Sequence, residues 1–174
     1  MIITLSGHIG SGKSTVASIL SELTGYRSYS GGYFFRKKAG EMNLSIADFN
    51  TLMETDATED RKLNKMIGSF MTGNNDLIVE SRLAGWIAKE YGISAFRVFL
   101  EAPMDVRIQR IQEREGPDKI DDMVQRENSE NRRFMEFFGY DMDDTSIYDA
   151  VIDTTEGNAD YVAKKIYRLA FSTG

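Results

Sequence analysis

The chain has 174 residues, enough for one domain with a sizeable core, and its apolar fraction of 41% and charged fraction of 28% are ordinary for a globular protein. A net charge of −6 is a poor match for a nucleic-acid backbone or an anionic membrane, so neither partner is expected, and an anionic ligand must meet a local basic cluster. With no cysteine, disulfides and thiolate metal sites are excluded. MIITL lacks the basic leader of a signal peptide and no run approaches 18 uncharged apolar residues, so a cytoplasmic location is expected.

Met1 to Ser6 reads as a buried strand that stops at Gly7. Val16, Ile19, Leu20 and Leu23 follow at helical spacing, and Gly25 ends that helix. Tyr26 to Ser30 is a second, short strand. Ser45 and Asp48 form a capping-box pattern that opens a helix with Ile46, Phe49 and Met53 inward. Leu63, Met66, Ile67 and Phe70 repeat the helical spacing, and Asp76 to Glu80 is the third strand. Ala95 to Leu100 is the fourth strand, Pro103 starts the helix after it, and Met104, Ile108 and Ile111 form that helix's apolar stripe. Ala150 to Ile152 is the last strand, and Val162, Ile166, Leu169 and Ala170 mark a closing helix. Strands alternating with helices predict an α/β fold, a five-stranded parallel sheet between helical layers, with the ligand edge at the ends of the strands. No linker, repeat or low-complexity tract divides the chain, which predicts a single domain.

The strongest local signal is Gly7-His8-Ile9-Gly10-Ser11-Gly12-Lys13-Ser14-Thr15, a G-x-x-x-x-G-K-[ST] sequence between a strand and a helix. Glycines let the backbone curl so that successive N–H groups face one anionic centre, and the helix adds its positive end. Lys13 is placed to reach the β- and γ-phosphates of ATP, Ser14 to ligate Mg²⁺, and Thr15 to supply a hydroxyl near the α-phosphate. His8, the only histidine, occupies a variable loop position and is expected to do no chemistry.

Arg36 and Arg82 fall beside glycines near strand ends on the ligand edge, where a guanidinium can grip a phosphate with two parallel hydrogen bonds; simple surface solvation is the alternative. Six of the twelve arginines lie between Arg107 and Arg133. Arg107, Arg110 and Arg114 share one stripe, Arg126 and Arg133 share a face of the next helix, and Gln125 to Arg133 has no apolar side chain. Such a helix faces water or lines a charged site. Arg110, Arg114, Arg126 and Arg133 are candidates for stabilising a transferring phosphoryl group, while Arg107 and Arg132 read as solvated. Glu80 ends its strand where an acid can organise the waters of the magnesium ion, or can simply solvate the strand end. Trp86 and the Phe134, Phe137 and Phe138 cluster read as packing.

GHIGSGKST, SGGYFFR from Ser30, IVESRLAGW from Ile78, APMDVRIQRIQERE from Ala102, RENSENRRF from Arg126 and DDTSIYDAVIDT from Asp143 together resemble the archaeal-type cytidylate kinases, a branch of the nucleoside monophosphate kinases, over nearly the whole chain. The resemblance implies a three-layer P-loop kinase fold with an acceptor-binding helical region over residues 30–73 and a lid over 112–140. It implies phosphoryl transfer from Mg-ATP to CMP, and to dCMP, in pyrimidine nucleotide metabolism, by a monomer or small homo-oligomer. Ser30 and Arg36 would belong to the acceptor region, with Arg36 on the acceptor phosphate. Arg82 would hold that phosphate from the other side, and Gly85 would let the base approach. Arg110 and Arg114 would precede the lid, and Arg126 and Arg133 would close with it. Asp149 is expected near the nucleotides. Ser81 stands where the family usually has glycine, and Tyr33 where related kinases often carry a small or acidic residue. Rival readings are a P-loop kinase for AMP, dephospho-coenzyme A or a shikimate-type acceptor, and a nucleotide-binding module without an acceptor.

Overall fold

The computed structural model describes residues 1–172. The elements in chain order are β1 (Ile2–Ser6), α1 (Lys13–Thr24), β2 (Arg27–Ser30), α2 (Gly31–Glu41), α3 (Ile46–Thr55), α4 (Ala57–Thr72), β3 (Leu77–Glu80), α5 (Ala84–Glu90), β4 (Ala95–Glu101), α6 (Met104–Glu115), a short 3₁₀ turn at Pro117–Lys119, α7 (Ile120–Phe138), β5 (Ala150–Asp153) and α8 (Ala159–Phe171). The sheet runs β2-β3-β1-β4-β5 and every pairing is parallel. A strand covered on both faces needs a nearly continuous apolar run, and the central β1 is buried at all five positions.

Alternation along the strands divides the core. Ile3, Leu5, Ile78, Val98, Leu100 and Ile152 pack against α1 and α8. Ile2, Leu77 and Val79 point the other way, against α4, α5 and Phe134 of α7. A smaller third core of Ala39, Phe49 and Met53 holds α2 to α3. Residues 31–72 are therefore a helical outgrowth with packing of its own.

Ser45 caps α3 as its sequence predicts, its hydroxyl accepting from the Asp48 N–H at 3.0 Å. Phe49 and Met53 point inward, but Ile46 is 46% exposed, because it lines an open cleft at the start of α3. Met104 and Leu169 also face solvent, at the outer margins of their stripes.

Candidate active site

The loop after β1 is built for close approach. Gly7 has φ +150°, and a Cβ there would sit 2.3 Å from the Leu100 carbonyl oxygen. Only glycine fits between β1 and β4 at this point. Ser11 N–H closes the turn on the His8 carbonyl at 3.2 Å, and Lys13 begins α1. The Lys13 ammonium folds back to donate to the Gly7 and His8 carbonyls, both at 2.8 Å. Burial pulls its pKa down to about 8, against the opposing pull of Glu80. At the start of α1, Ser14 Oγ donates to Glu80 Oε1 at 2.9 Å. Burial raises the Glu80 pKa, with Lys13 and the Ser14 hydrogen bond resisting. Two oxygens in this position suit a hard cation such as Mg²⁺, which keeps waters and phosphate oxygens in its shell.

A cleft of about 490 Å³ lies between this loop, α2–α4 and α7, within the range of small-ligand sites. Ile9, Gly10, Gly12, Lys13, Ser14 and Thr15 line one side. Arg36, Arg82, Arg114, Arg126 and Arg133 converge on it from four separate elements or loops. Carboxylates hold several of them in place. Glu130 accepts from Arg82 at 2.7 Å and from Arg126 at 2.7 Å, and Arg82 also bonds Asn131. Burial alone would raise the Glu130 pKa, but Arg126 and Arg82 together hold it below the ordinary carboxylate value. Arg133 Nε lies 2.7 Å from Asp60 on α4. Arg36 makes no ion pair among the described residues, and Arg114 pairs only with its neighbour Glu115.

Several expected site residues lie elsewhere. Gly85 is buried outside the cleft. A Cβ there would strike the Tyr148 ring at 2.3 Å, and its N–H donates to Ser6 Oγ, so this glycine makes room for an aromatic side chain and not for a base. The Ser30 hydroxyl is committed to capping α2 through the Tyr33 N–H. Arg110 donates to the Gly10 carbonyl and to Thr154, which makes it a buttress beside the loop and not a lining group of the cleft. Asp149 accepts from the Arg97 N–H before β5, at the opposite end of that strand from the ligand edge. His8 stays behind the loop, its Nε2 3.2 Å from Asp143, and burial lowers its pKa. Gly7 and Ser11 shape the loop without lining the cleft. Arg132 is exposed, as its sequence context suggests, and Trp86 stacks on Tyr140 as packing.

Arg107 reverses its expectation. It is 5% exposed and donates to the Ala102 and Ile9 carbonyls and to both oxygens of Glu127. Glu127 in turn accepts the Ile9 N–H at 3.0 Å. A buried ion pair thus fixes the middle of α7 to the phosphate loop. Glu127 and Glu130, one turn apart in an arginine-rich helix, were legible as partners for arginines, but nothing local says which ones. Asp60 and Asn64 had a subtler signal: they continue, one turn at a time, the buried line of Ile67 and Met71 along α4.

A phosphate loop at the end of the central strand, facing arginines from four separate elements or loops, defines a P-loop small-molecule kinase. The fold is shared with shikimate kinase from Acinetobacter baumannii, solved with shikimate (TM-score 0.65, 22% identity, covering 98% of this chain and 93% of that one). The chain belongs to the cytidylate kinase-like family, whose model matches residues 2–156. It is 48% identical to the cytidylate kinase of Thermoplasma volcanium over 158 residues, 88% of this chain and 83% of that protein. It is equally similar, at 48% over 157 residues, to the cytidylate kinase of Thermoplasma acidophilum (88% and 84%).

Proposed function

We propose that this protein is a cytidylate kinase that transfers the γ-phosphoryl group of Mg-ATP to CMP, giving ADP and CDP, with dCMP as a second acceptor. The observation that carries this reading is the single cleft into which the phosphate loop and five arginines open together. Family membership supports the pyrimidine acceptor. A neutral acceptor would leave Arg36, which has no carboxylate partner among the described residues, without a counter-charge, which favours a phosphate-bearing substrate over a shikimate-type one.

Such a transfer asks the protein mainly for positioning and charge stabilisation. The main-chain N–H groups of the loop hold the donor phosphates, and Lys13 turns from the Gly7 and His8 carbonyls to the β- and γ-oxygens. Ser14 and, through water, Glu80 would hold magnesium, which would supply positive charge beside the phosphates. Arg36 and Arg82 orient the acceptor phosphate. Arg114 and Arg126 surround the transferring group and exclude water, which would otherwise hydrolyse ATP, while Arg133 is engaged with Asp60. No general base is required, because the acceptor phosphate has a second pKa of about 6 and is already a nucleophilic dianion near neutral pH. Arg110 acts on the loop and not on the phosphates. One chain supplies every group, so the cytoplasmic reaction needs no second subunit.

The test is a coupled ADP-release assay against CMP, dCMP, UMP, AMP, GMP, shikimate and dephospho-coenzyme A. Fastest turnover with CMP is expected. Fastest turnover with AMP, shikimate or dephospho-coenzyme A, or acceptor-independent ATP hydrolysis alone, rejects the assignment.

A further inference from the structure

The acceptor side of the cleft carries polar groups that phosphate chemistry leaves idle. Asp60 and Asn64 lie one turn apart on α4, both line the cleft, and they are only 3% and 5% exposed. Arg133 reaches Asp60 from α7 at 2.7 Å, yet the pair is poorly aligned. Asp60 Oδ2, Arg133 Nε and Asn64 Nδ2 are all buried without a directed hydrogen bond. An unpaired buried donor such as Asn64 Nδ2 costs about 1–3 kcal/mol, and beside a misaligned ion pair it calls for an explanation. Apolar walls flank them: Met53, Leu63 and Ile67. Apolar walls beside a mixed edge of one acceptor and two donors match the chemistry of a heteroaromatic ring.

We propose that Asp60, Asn64 and Arg133 read the edge of the acceptor's base and select an aminopyrimidine over its oxo counterpart. This rests on the reading above that the acceptor is a nucleoside monophosphate. The Asp60 carboxylate can only accept, and takes the exocyclic N–H of cytosine. The Asn64 amide and the Arg133 guanidinium donate to the ring nitrogen and the carbonyl beside it. Uracil places a carbonyl oxygen opposite the carboxylate and an N–H opposite the donor that faces the ring nitrogen, so two of the three contacts fail. Because Arg133 stands on α7 and Asp60 on α4, the base is read by the same pair that draws the arginine helix onto the acceptor helices. A wrong base therefore also leaves the cleft imperfectly closed.

The experiment measures kcat/KM for CMP and for UMP, together with the KM for ATP, in the wild type and in Asp60→Asn and Asn64→Leu. A site built to hydrogen-bond its substrate discriminates by up to about 10⁴-fold. The wild type is expected to favour CMP by at least about 100-fold. Asp60→Asn offers an N–H to the uracil oxygen and should reduce the CMP-to-UMP ratio by at least about tenfold, with the KM for ATP unchanged within about twofold. Asn64→Leu should lower kcat/KM for CMP by about tenfold or more and also reduce the ratio. If Asp60→Asn does not fold, the Asn64→Leu ratio decides. Folded variants that keep the wild-type ratio overturn the base-reading role while leaving the CMP assignment intact. A wild type that phosphorylates no nucleoside monophosphate removes both.

Discussion

Lys13 is a charged group held in a place that penalises charge. In the absence of phosphates its ammonium is satisfied by two loop carbonyls, and burial still takes its pKa down to about 8. The phosphates of ATP favour the protonated form, so binding must raise that pKa. Below pH 8 the proton is already present and nothing is taken up. Above pH 8 the free protein has lost it, and ATP binding must recover one proton, so affinity falls with rising pH, at the limit by about tenfold per unit. Isothermal titration calorimetry of an ATP analogue in two buffers of different ionisation enthalpy should show uptake near one proton at pH 9 and near zero at pH 7. Equal uptake at the two values would mean that the lysine is not the group facing the phosphates. Lys13→Ala should lower kcat by about 10²–10³-fold or more with the circular-dichroism spectrum unchanged.

Among the elements, α7 departs furthest from what the sequence suggests. Its apolar-free stretch from Gln125 to Arg133 resembles a free-swinging lid, but Glu127 is tied to Arg107 and to the loop, Phe134 is buried in the core, and Tyr140 beyond it stacks on Trp86 at 4.9 Å. Met123 before that stretch is buried as well, so α7 is anchored on both sides of it. Patterns that a strand or helix satisfies by itself were legible: the run of β1, the Ser45 cap, the glycine-rich turn into α1. Features decided by a distant partner were not. Ile46 has the right spacing to be buried but lines the cleft. Arg107 sits in an arginine stripe like its neighbours, and only the approach of Glu127 makes it a core residue. Gly85 reads as an opening and is filled by Tyr148. Removing one member of the buried pair leaves an uncompensated charge, so Glu127→Ala should cost about 3–5 kcal/mol by urea denaturation. The double change Arg107→Met, Glu127→Met should recover part of that loss. Equal destabilisation by the single and double variants would show that the pair contributes through packing alone.

At the scale of the whole molecule, α7 is one rigid body of 19 residues in contact with both halves of the cleft. Through Glu127 it meets the phosphate loop, where the donor binds. Through Glu130 it meets Arg82, and through Arg133 it meets Asp60, on the side proposed for the acceptor. A ligand that settles either contact shifts the helix toward the position the other ligand needs. The proposed reading therefore predicts that the two substrates are energetically coupled, and linkage requires the coupling to be the same in both directions, typically 1–3 kcal/mol or about 5–150-fold in affinity. Thermal unfolding makes this measurable, since a ligand held at 100 times its Kd stabilises the fold by about 2.7 kcal/mol. CMP and a non-hydrolysable ATP analogue, each at that saturation, should together stabilise the protein by more than the sum of their separate effects. The excess should shrink in Glu127→Gln, where the tie to the Ile9 N–H is weakened but the shape is kept. Strictly additive stabilisation in the wild type would mean that the two half-sites close independently, and that the ion pairs along α7 hold the helix in place without carrying any message between them.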